Sequence, residues 1–182
     1  MTDPAGPVVA YVAVGSNVEP RENIAAALGR LMRRVVVSGV STFYRAPAVG
    51  PSGRAEAGEQ DEFLNGVFEL RVSCRARGLK FDVLRPIEAE LGRVRSADRY
   101  APRTIDLDVL LCGEEVVDEP DLRVPAPDIE RPFVAVPLRE LAPDLVLPHT
   151  RQPLSCLWGP GVAPGMVADL EYTRLLKELW QR

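Results

Sequence analysis

The stretch GRVRSADRYAPRTIDLDVLL, residues Gly92 to Leu111, separates positive from negative side chains in a way that an ordinary surface segment does not require. Its first half contains four cations: Arg93, Arg95, Arg99 and Arg103. Ala101-Pro102 interrupts this half, and because proline lacks a backbone N–H donor, we predict a loop there and not a helix. The second half, Thr104 to Leu111, is β-branched and apolar, which predicts a strand.

The predicted strand carries two carboxylates on one face. Side chains alternate between the two faces of a strand, so Asp106 and Asp108 share a face. The same alternation predicts an apolar face made of Ile105, Leu107, Val109 and Leu111. Two neighbouring carboxylates repel each other unless a cation neutralises them. One or two carboxylates, completed by water and phosphate oxygens, are the usual ligands of Mg²⁺.

The arginines beside this strand suit a polyphosphate, because the guanidinium fork matches phosphate oxygens two at a time. The alternative interpretation is a solvated sheet edge next to an ordinary basic loop. An isolated Asp-x-Asp would favour that alternative. The adjoining arginine loop and the apolar opposite face favour a site for a metal and a phosphate.

Composition restricts the remaining classes of function. The chain has 182 residues, 46% hydrophobic and 26% charged, which is typical of one globular domain. A net charge of −4 argues against a nucleic-acid-binding protein. The two lysines, Lys80 and Lys177, do not lie in a phosphate-binding Gly-x-x-x-x-Gly-Lys motif. No apolar run is long enough to span a membrane, and the N-terminus does not resemble a signal peptide, so we expect a cytoplasmic protein.

Cysteine and histidine usage excludes several kinds of site. Cys74, Cys112 and Cys156 are widely spaced, which predicts buried free thiols. His149 is the only histidine, so a metal site with several histidines cannot form.

The pattern along the chain predicts a ferredoxin-like fold. We predict strands over residues 8–14, 35–44 (with a bulge or a close contact at Gly39), 62–72 and 104–111, and a small hairpin or extension formed by 116–117 and 122–124. We predict helices over 20–34, 75–92 (kinked by Pro86), 133–141 (interrupted near Pro137) and 166–180. Residues 47–61 are predicted to form a long loop. The order strand, helix, strand, strand, helix, strand is that of a split β-α-β, an α+β fold with an antiparallel sheet and helices on both sides.

Residues 8–160 are expected to form one domain, and residues 161–182 a helical extension packed on it. Gly15-Ser16-Asn17 is interpreted as an ordinary turn, although it also suits a phosphate-binding turn. The Asn65 amide suits either the donor and acceptor edge of a heterocycle or the backbone. From the residues alone, Glu88 and Glu90 are each interpreted as solvated charges.

Several motifs together resemble one enzyme family. Gly92-Arg93-Val94-Arg95, Asp98-Arg99 and Pro102-Arg103-Thr104-Ile105-Asp106-Leu107-Asp108 are similar to the signature of the 6-hydroxymethyl-7,8-dihydropterin pyrophosphokinases. The resemblance implies transfer of the pyrophosphoryl group of ATP to the pterin hydroxymethyl group, release of AMP, and two Mg²⁺ ions held by the two aspartates. ATP and the pterin are then the expected partners. A neighbouring folate-pathway enzyme or a second copy of the chain is a further possible partner.

The resemblance also implies roles for individual residues. The expected catalytic residues are Arg93, Arg103, Asp106 and Asp108. The expected pterin-binding residues are Pro47, Val49, Phe63, Asn65 and Phe133, with the pterin between the two aromatic rings. The expected ATP-binding residues are Glu88, Arg95, Arg99, Tyr100, Arg103 and Arg131. Ser96, Tyr100 and Ala126 depart from the family pattern, where a basic residue, a tryptophan and a histidine are usual.

The hypothesis for the mechanism is direct displacement at the β-phosphorus of ATP by the hydroxymethyl oxygen. Arg93 and Arg103 would close over the triphosphate. Two rival functions remain: a metal-dependent phosphohydrolase, which would consume ATP without pterin, and a non-catalytic ferredoxin-like binding module, which would show no Mg²⁺-dependent affinity for nucleotide.

Overall fold

The computed structural model describes residues 6–47, 62–94, 102–157 and 163–182. The strands are β1 (Val8–Ser16), β2 (Val36–Val40), β3 (Tyr44–Ala46), β4 (Phe63–Val72), β5 (Asp106–Cys112), β6 (Val117–Glu119), β7 (Leu122–Val124) and β8 (Val167–Ala168). The α-helices are α1 (Pro20–Met32), α2 (Ala76–Gly78), α3 (Arg85–Glu90), α4 (Pro132–Leu141) and α5 (Leu170–Trp180). A π-helical stretch, Leu79–Leu84, joins α2 to α3, and short 3₁₀ turns span Pro127–Glu130 and Leu154–Cys156.

Six antiparallel strands form the main sheet. Five follow the order β5-β1-β4-β3-β8, and β2 pairs with the part of β4 that β3 leaves open. Strands β6 and β7 form the predicted hairpin. This sheet, with helices packed on both faces, confirms the predicted ferredoxin-like α+β fold.

Each face of the sheet has its own hydrophobic core. Helices α1, α3 and α5 contribute Leu28, Ile87 and Leu176 to the larger core on one face. Helix α4 contributes Leu138 to the smaller core on the other face, where it packs with Val67 of β4. Asp106 and Asp108 lie on the same face as the smaller core.

The prediction that Leu111 shares the apolar face of β5 with Leu107 and Val109 is wrong. Val12 of β1 lies opposite Val109, but the neighbouring Tyr11 lies opposite Leu111, so Leu110 is an extra residue in β5. This bulge reverses the alternation. Leu111 therefore packs in the smaller core beside Leu110, whereas Leu107 and Val109 pack in the larger one.

The strand predicted over residues 35–44 is two strands. Both β2 and β3 pair with β4, and the segment between them is held by Ser41, whose N–H donates to Val67 O at 3.1 Å. The Ser41 hydroxyl accepts from Val67 N at 2.9 Å, so the side chain replaces a ladder bond where the strand is interrupted. The bulge predicted at Gly39 is confirmed by a register shift between Val37 and Gly39.

Prolines affect two helices differently. Immediately before Pro86 the helix widens to the π-form, and Arg85 N–H donates to Lys80 O. A kink was predicted at Pro86, and the structure shows a widened helical turn there, where Pro86 has no N–H with which to continue the α-helical pattern. Helix α4 runs without a break past Pro137, so the predicted interruption there is wrong.

The three cysteines form no disulfide within the described ranges, as predicted, but only Cys112 is buried, whereas Cys74 is half-buried and Cys156 is exposed. Burial raises the pKa of the Cys112 thiol to about 12, helped by the nearby Glu115 carboxylate. Within the parts of the chain that the structure covers, no helix has the length and apolar character to cross a membrane.

Candidate active site

A row of residues across three strands forms the floor of the site. Gly15 of β1 lies opposite Asn65 of β4 on one side and opposite Asp106 of β5 on the other. Because Gly15 has no side chain, the floor is open between the amide and the carboxylate. A Cβ atom at Gly15 would lie 3.1 Å from Asn65 Oδ1, which is closer than most such contacts.

The next row confirms that the two aspartates share a face. Asp108 lies opposite Ala13, two residues along β1 from the partner of Asp106. Ala13 and Tyr11 pack against the smaller core, so both carboxylates are on the side of the sheet covered by α4. The period of two predicted this part of β5 correctly because the bulge lies beyond Asp108.

Two arginines neutralise Asp106. Arg93 Nη2 lies 3.4 Å from Asp106 Oδ1, and Arg103 Nη1 forms an ion pair with Asp106 Oδ2. The side chains of Asp106 and Arg93 are only 23% and 12% exposed, so water screens these charges less than it would on an open surface. The structure therefore brings together three of the four predicted catalytic residues.

Asp108 has a different cation. Lys80 Nζ lies 2.9 Å from Asp108 Oδ1, and the Asp108 side chain is 51% exposed. The sequence did not indicate this contact, because Lys80 lies 28 residues earlier, in the π-helical stretch. The rarity of lysine was visible, but no sequence signal placed Lys80 beside β5.

The donors present fit Mg²⁺. Among the residues that the structure describes, no group of three or more histidine, cysteine or acidic side chains forms a metal site. Within the described ranges the site offers the carboxylates of Asp106 and Asp108, and a bound ion would complete its shell with water and phosphate oxygens, as Mg²⁺ usually does. The cations already on both carboxylates show that this surface is built for balanced opposite charges.

Two buried polar atoms beside the site have no hydrogen-bond partner among the described residues. They are Arg93 Nε and Thr104 Oγ1. Buried donors of this kind are costly unless a ligand or water satisfies them. Their position near Asp106 is consistent with a polar ligand such as a phosphate.

Ser16 and Asn17 hold the chain that carries Arg103. Ser16 Oγ donates to Thr104 O at 2.6 Å, and Asn17 Oδ1 accepts from Arg103 N at 2.7 Å. Asn17 N in turn donates to Arg103 O at 3.1 Å. The Gly15-Ser16-Asn17 motif is therefore more than an ordinary turn, since it connects β1 to the segment that leads into β5. Sequence reasoning missed this role.

Glu88 is buried, so its interpretation as a solvated charge is wrong. It is 3% exposed, and its Oε1 accepts a hydrogen bond of 2.9 Å from the backbone N–H of Leu107, between the two aspartates. The interpretation of Glu90 as a solvated charge is confirmed, because Glu90 lies on the surface, where it forms ion pairs with Arg30 and Arg34. Its hydrogen bonds with Arg34, opposed by partial desolvation, lower the pKa of Glu90.

Three of the five residues predicted to bind the pterin lie on this face. Phe63 and Asn65 point to the Gly15 side of the sheet, and a Cβ at Gly15 would lie 4.0 Å from Phe63 Cδ1. Phe133 of α4 packs against the smaller core on the same face. Among the described residues, the Asn65 amide makes one weak contact, Nδ2 to Phe63 O at 3.4 Å. Pro47 follows β3 at the other side of β4.

The remaining predicted residues are partly outside the described ranges. Arg131 lies at the start of α4, where its Nε pairs with Asp128 at 2.7 Å and its guanidinium lies 6.0 Å from the Phe133 ring centroid. The predictions for Val49, Arg95, Arg99 and Tyr100, and for the long loop over residues 47–61 beyond Pro47, fall on residues that the structure does not describe.

Comparison with known proteins identifies the family. A family model described as 7,8-dihydro-6-hydroxymethylpterin-pyrophosphokinase matches residues 11–143. A Pseudomonas aeruginosa protein named 2-amino-4-hydroxy-6-hydroxymethyldihydropteridine pyrophosphokinase is 46% identical over 147 residues, covering 78% of this chain and 85% of that protein. Proteins of the same name from Bacillus subtilis (39% over 137 residues, 73% of this chain and 77% of that protein) and Haemophilus influenzae (38% over 149 residues, 79% and 88%) are also similar. The matched residues include both aspartates, both paired arginines and the Gly15 row, and the chain belongs to the 7,8-dihydro-6-hydroxymethylpterin-pyrophosphokinase family.

Proposed function

We propose that this protein transfers the pyrophosphoryl group of ATP to the hydroxymethyl oxygen of 6-hydroxymethyl-7,8-dihydropterin, in folate biosynthesis. The observation that carries the proposal is the placement of Asp106 and Asp108 on one face of β5, each paired with a cation, beside an open floor bordered by Asn65. Family membership supports the same reaction. ATP as co-substrate favours action in the cytoplasm.

The proposed reaction is a displacement at the β-phosphorus of ATP. The hydroxymethyl oxygen forms a bond to this phosphorus while the bond between the phosphorus and the oxygen bridging to the α-phosphate breaks. AMP leaves with the bonding electrons, and the hydroxyl proton passes to solvent. The described part of the site contains no histidine or other obvious general base near Asp106.

Asp106 and Asp108 are the residues that would hold Mg²⁺. The two ions would supply positive charge to the phosphate oxygens and lower the pKa of the acceptor hydroxyl. Arg93 and Arg103 already lie at Asp106, so they can contribute guanidinium groups to the triphosphate when it binds.

The pterin is proposed to lie over Gly15, on the face of the sheet that carries the smaller core and helix α4. Phe63 and Phe133 provide aromatic surfaces for its ring system, and the Asn65 amide provides one acceptor and two donors for its polar edge. Pro47 and Val49 are proposed to complete this pocket. A bulky residue at the Gly15 position would fill the open floor between Asn65 and Asp106, so the glycine there supports this position for the pterin. We call this open floor the trough.

The other proposed ATP contacts come from Arg95, Arg99, Tyr100, Arg103 and Arg131. Glu88 is also proposed to contribute to ATP binding, but its burial and its bond to Leu107 N support an indirect contribution. It holds the backbone between Asp106 and Asp108 and thereby orients both carboxylates.

An assay of AMP formation tests the proposal. Wild-type protein with ATP, Mg²⁺ and the pterin is expected to release AMP, and Asp106→Ala or Asp108→Ala is expected to reduce the rate by at least about 10³-fold, since each removes metal-assisted charge stabilisation of several kcal/mol. A matched control is Asp118→Ala on the β6–β7 hairpin, whose carboxylate pairs only with Arg123 on the surface among described contacts.

Three results would contradict the proposal. Normal AMP release by both aspartate variants would exclude their catalytic role. Rapid turnover of ATP without pterin would indicate the phosphohydrolase instead. The absence of Mg²⁺-dependent binding of a non-hydrolysable ATP analogue, measured by calorimetry, would indicate a non-catalytic binding module.

A further inference from the structure

Lys80 is held against Asp108 by the local shape of its helix. It lies in the π-helical stretch, where its carbonyl accepts the N–H of Arg85 immediately before Pro86. The aromatic ring of the next residue, Phe81, contacts the guanidinium groups of Arg77 and Arg85, whose Cζ atoms lie 4.7 Å and 4.1 Å from its centroid. These contacts stabilise the turn that carries Lys80.

The Lys80 side chain is mostly covered although its partner is open to solvent. It is 17% exposed, whereas Asp108 is 51% exposed. A lysine on a free surface retains most of its rotamer freedom, but here the stem is packed and the ammonium group ends 2.9 Å from Asp108 Oδ1. The Lys80 side chain is therefore held in position by packing, while the Asp108 carboxylate of the same ion pair remains accessible to solvent.

The two aspartates are neutralised by different kinds of cation. Asp106 meets two arginines, and Asp108 meets one of the only two lysines among 22 basic residues. A guanidinium binds a carboxylate through a rigid fork, whereas an ammonium is a compact point charge with three rotatable donors. A lysine is thus better suited to leave a carboxylate when another cation arrives.

We propose that Lys80 is a counter-ion that occupies the Asp108 carboxylate in the metal-free protein and competes with the divalent cation for it. This inference rests on the proposed function, because it takes Asp108 as a metal ligand. It assigns Lys80 a positioning role: the ammonium group keeps the two carboxylates from repelling each other before the metal binds. It also sets the metal concentration at which Asp108 is occupied.

Mn²⁺ titration monitored by electron paramagnetic resonance tests this competition without turnover. Mn²⁺ is added to the full chain with a non-hydrolysable ATP analogue and no pterin. Lys80→Met keeps the length of the stem and removes the charge, and it is expected to lower the apparent Kd for Mn²⁺ by about two- to fivefold, the range for loss of one half-exposed ion pair. Lys80→Arg retains a cation and is expected not to lower the Kd.

The matched control is Lys177→Met, which removes the other lysine, on α5, and should leave the Kd for Mn²⁺ unchanged. In an Asp108→Asn background, Lys80→Met should also have no effect, because the competed carboxylate is gone. A role of Lys80 in stability alone would not produce this dependence on Asp108. Circular dichroism establishes that each variant is folded.

Two outcomes overturn the inference. An unchanged Kd in Lys80→Met would show that the ion pair does not compete with the metal. A higher Kd would show that the ammonium supports the nucleotide phosphates instead. Failure of pyrophosphoryl transfer is a separate result: it appears as no AMP from wild-type protein, whereas the Lys80 comparison depends only on the ratio of Mn²⁺ affinities.

Discussion

Gly15 determines how much space separates the amide of Asn65 from the carboxylate of Asp106. It is the middle residue of the row across β4, β1 and β5, and any side chain there would project between its two neighbours. A methyl group at this position would approach Asn65 Oδ1 to 3.1 Å, so the amide would have to move by a few tenths of an ångström.

Gly15→Ala is therefore expected to raise the KM for the pterin by about tenfold, the effect of losing one well-aligned hydrogen bond to the Asn65 amide. The KM for ATP should change much less. Steady-state AMP formation measures both. Gly29→Ala on α1 is the control, because a Cβ there would meet only Arg33 Nη1 at 4.0 Å. Equal KM values for wild type and Gly15→Ala would show that the pterin does not occupy this trough.

At the scale of residues, local periodicity predicted some features and tertiary contacts decided the rest. The shared face of Asp106 and Asp108 follows from the alternation of a strand, which needs no knowledge of other elements. The partners Lys80 and Glu88 lie 28 and 19 positions from their contacts on β5. Such contacts depend on how α3 and the π-helical stretch pack on the sheet, and a single sequence does not specify that packing.

At the scale of elements, β8 and α5 form one unit attached to the edge of the sheet and to α1. Strand β8 pairs with β3, and Asp169 N–H donates to Phe43 O at 2.9 Å. The Asp169 carboxylate accepts from Tyr172 N at the start of α5 and pairs with Arg21 of α1 at 2.9 Å. One side chain therefore joins the start of α5 to α1.

Asp169→Asn should lower the free energy of unfolding by about 1 kcal/mol at pH 7, because asparagine retains the cap but loses the charge that pairs with Arg21. Burial opposes ionisation, but the hydrogen bonds from Arg21 and Tyr172 N prevail and lower the pKa of Asp169. A lowered folded-state pKa gives stability that is present above the unfolded pKa of about 4 and is lost as the pH falls through the folded value.

Urea unfolding of wild type and Asp169→Asn across pH 2 to 8 measures this difference, which should narrow below about pH 4. Glu171→Gln is the comparison, since its 72% exposed side chain lies 3.8 Å from the same arginine and should contribute little. A gap between wild type and Asp169→Asn that stays constant with pH would refute the charge-based explanation.

Element boundaries were predictable where one period extends over a whole element, as in α1 and β4. They were not predictable where two strands share a partner. Residues 35–44 have continuous strand character, but Ser41 bonds to Val67 with both its backbone and its side chain and divides the segment. Likewise, the alternation of side chains in β5 reverses at Leu110 because of its register with β1. A run of apolar residues in the sequence does not indicate that register.

At the scale of the whole molecule, the last twenty residues contribute to the larger core. The family model ends at residue 143, yet Tyr172 and Leu176 are 4% and 1% exposed. Phe43 N–H donates to Thr173 Oγ1 at 2.9 Å, and Trp180 Nε1 donates to Val37 O at 2.9 Å. This segment therefore supports β2 and β3, the strands before the predicted pterin-side loop.

Deleting residues 163–182 is expected to lower the free energy of unfolding by more than about 4 kcal/mol, because two large buried side chains, one buried hydrogen bond and one partly buried hydrogen bond are lost. Thermal unfolding followed by circular dichroism measures the loss. Removing only Gln181 and Arg182, both exposed, is the control. A deleted chain with the melting temperature of the wild type would mean that the segment is dispensable for stability. Association with a folate-pathway enzyme or with a second copy of the chain stays a prediction.

Because Leu110 is an extra residue, the same face of β5 carries the charged residues of the site before the bulge and two consecutive leucines of the smaller core from the bulge onward. Before it, β5 offers charged groups on one side and apolar groups on the other; after it, consecutive leucines sit in the smaller core and Cys112 returns to the larger one. Loss of Leu110 itself would only restore a regular alternation, whereas deletion of one residue elsewhere in β5 would reverse the facing of every residue on one side of the deletion. Insertions and deletions are thus far more tolerable in the β6–β7 hairpin than within the seven residues of β5.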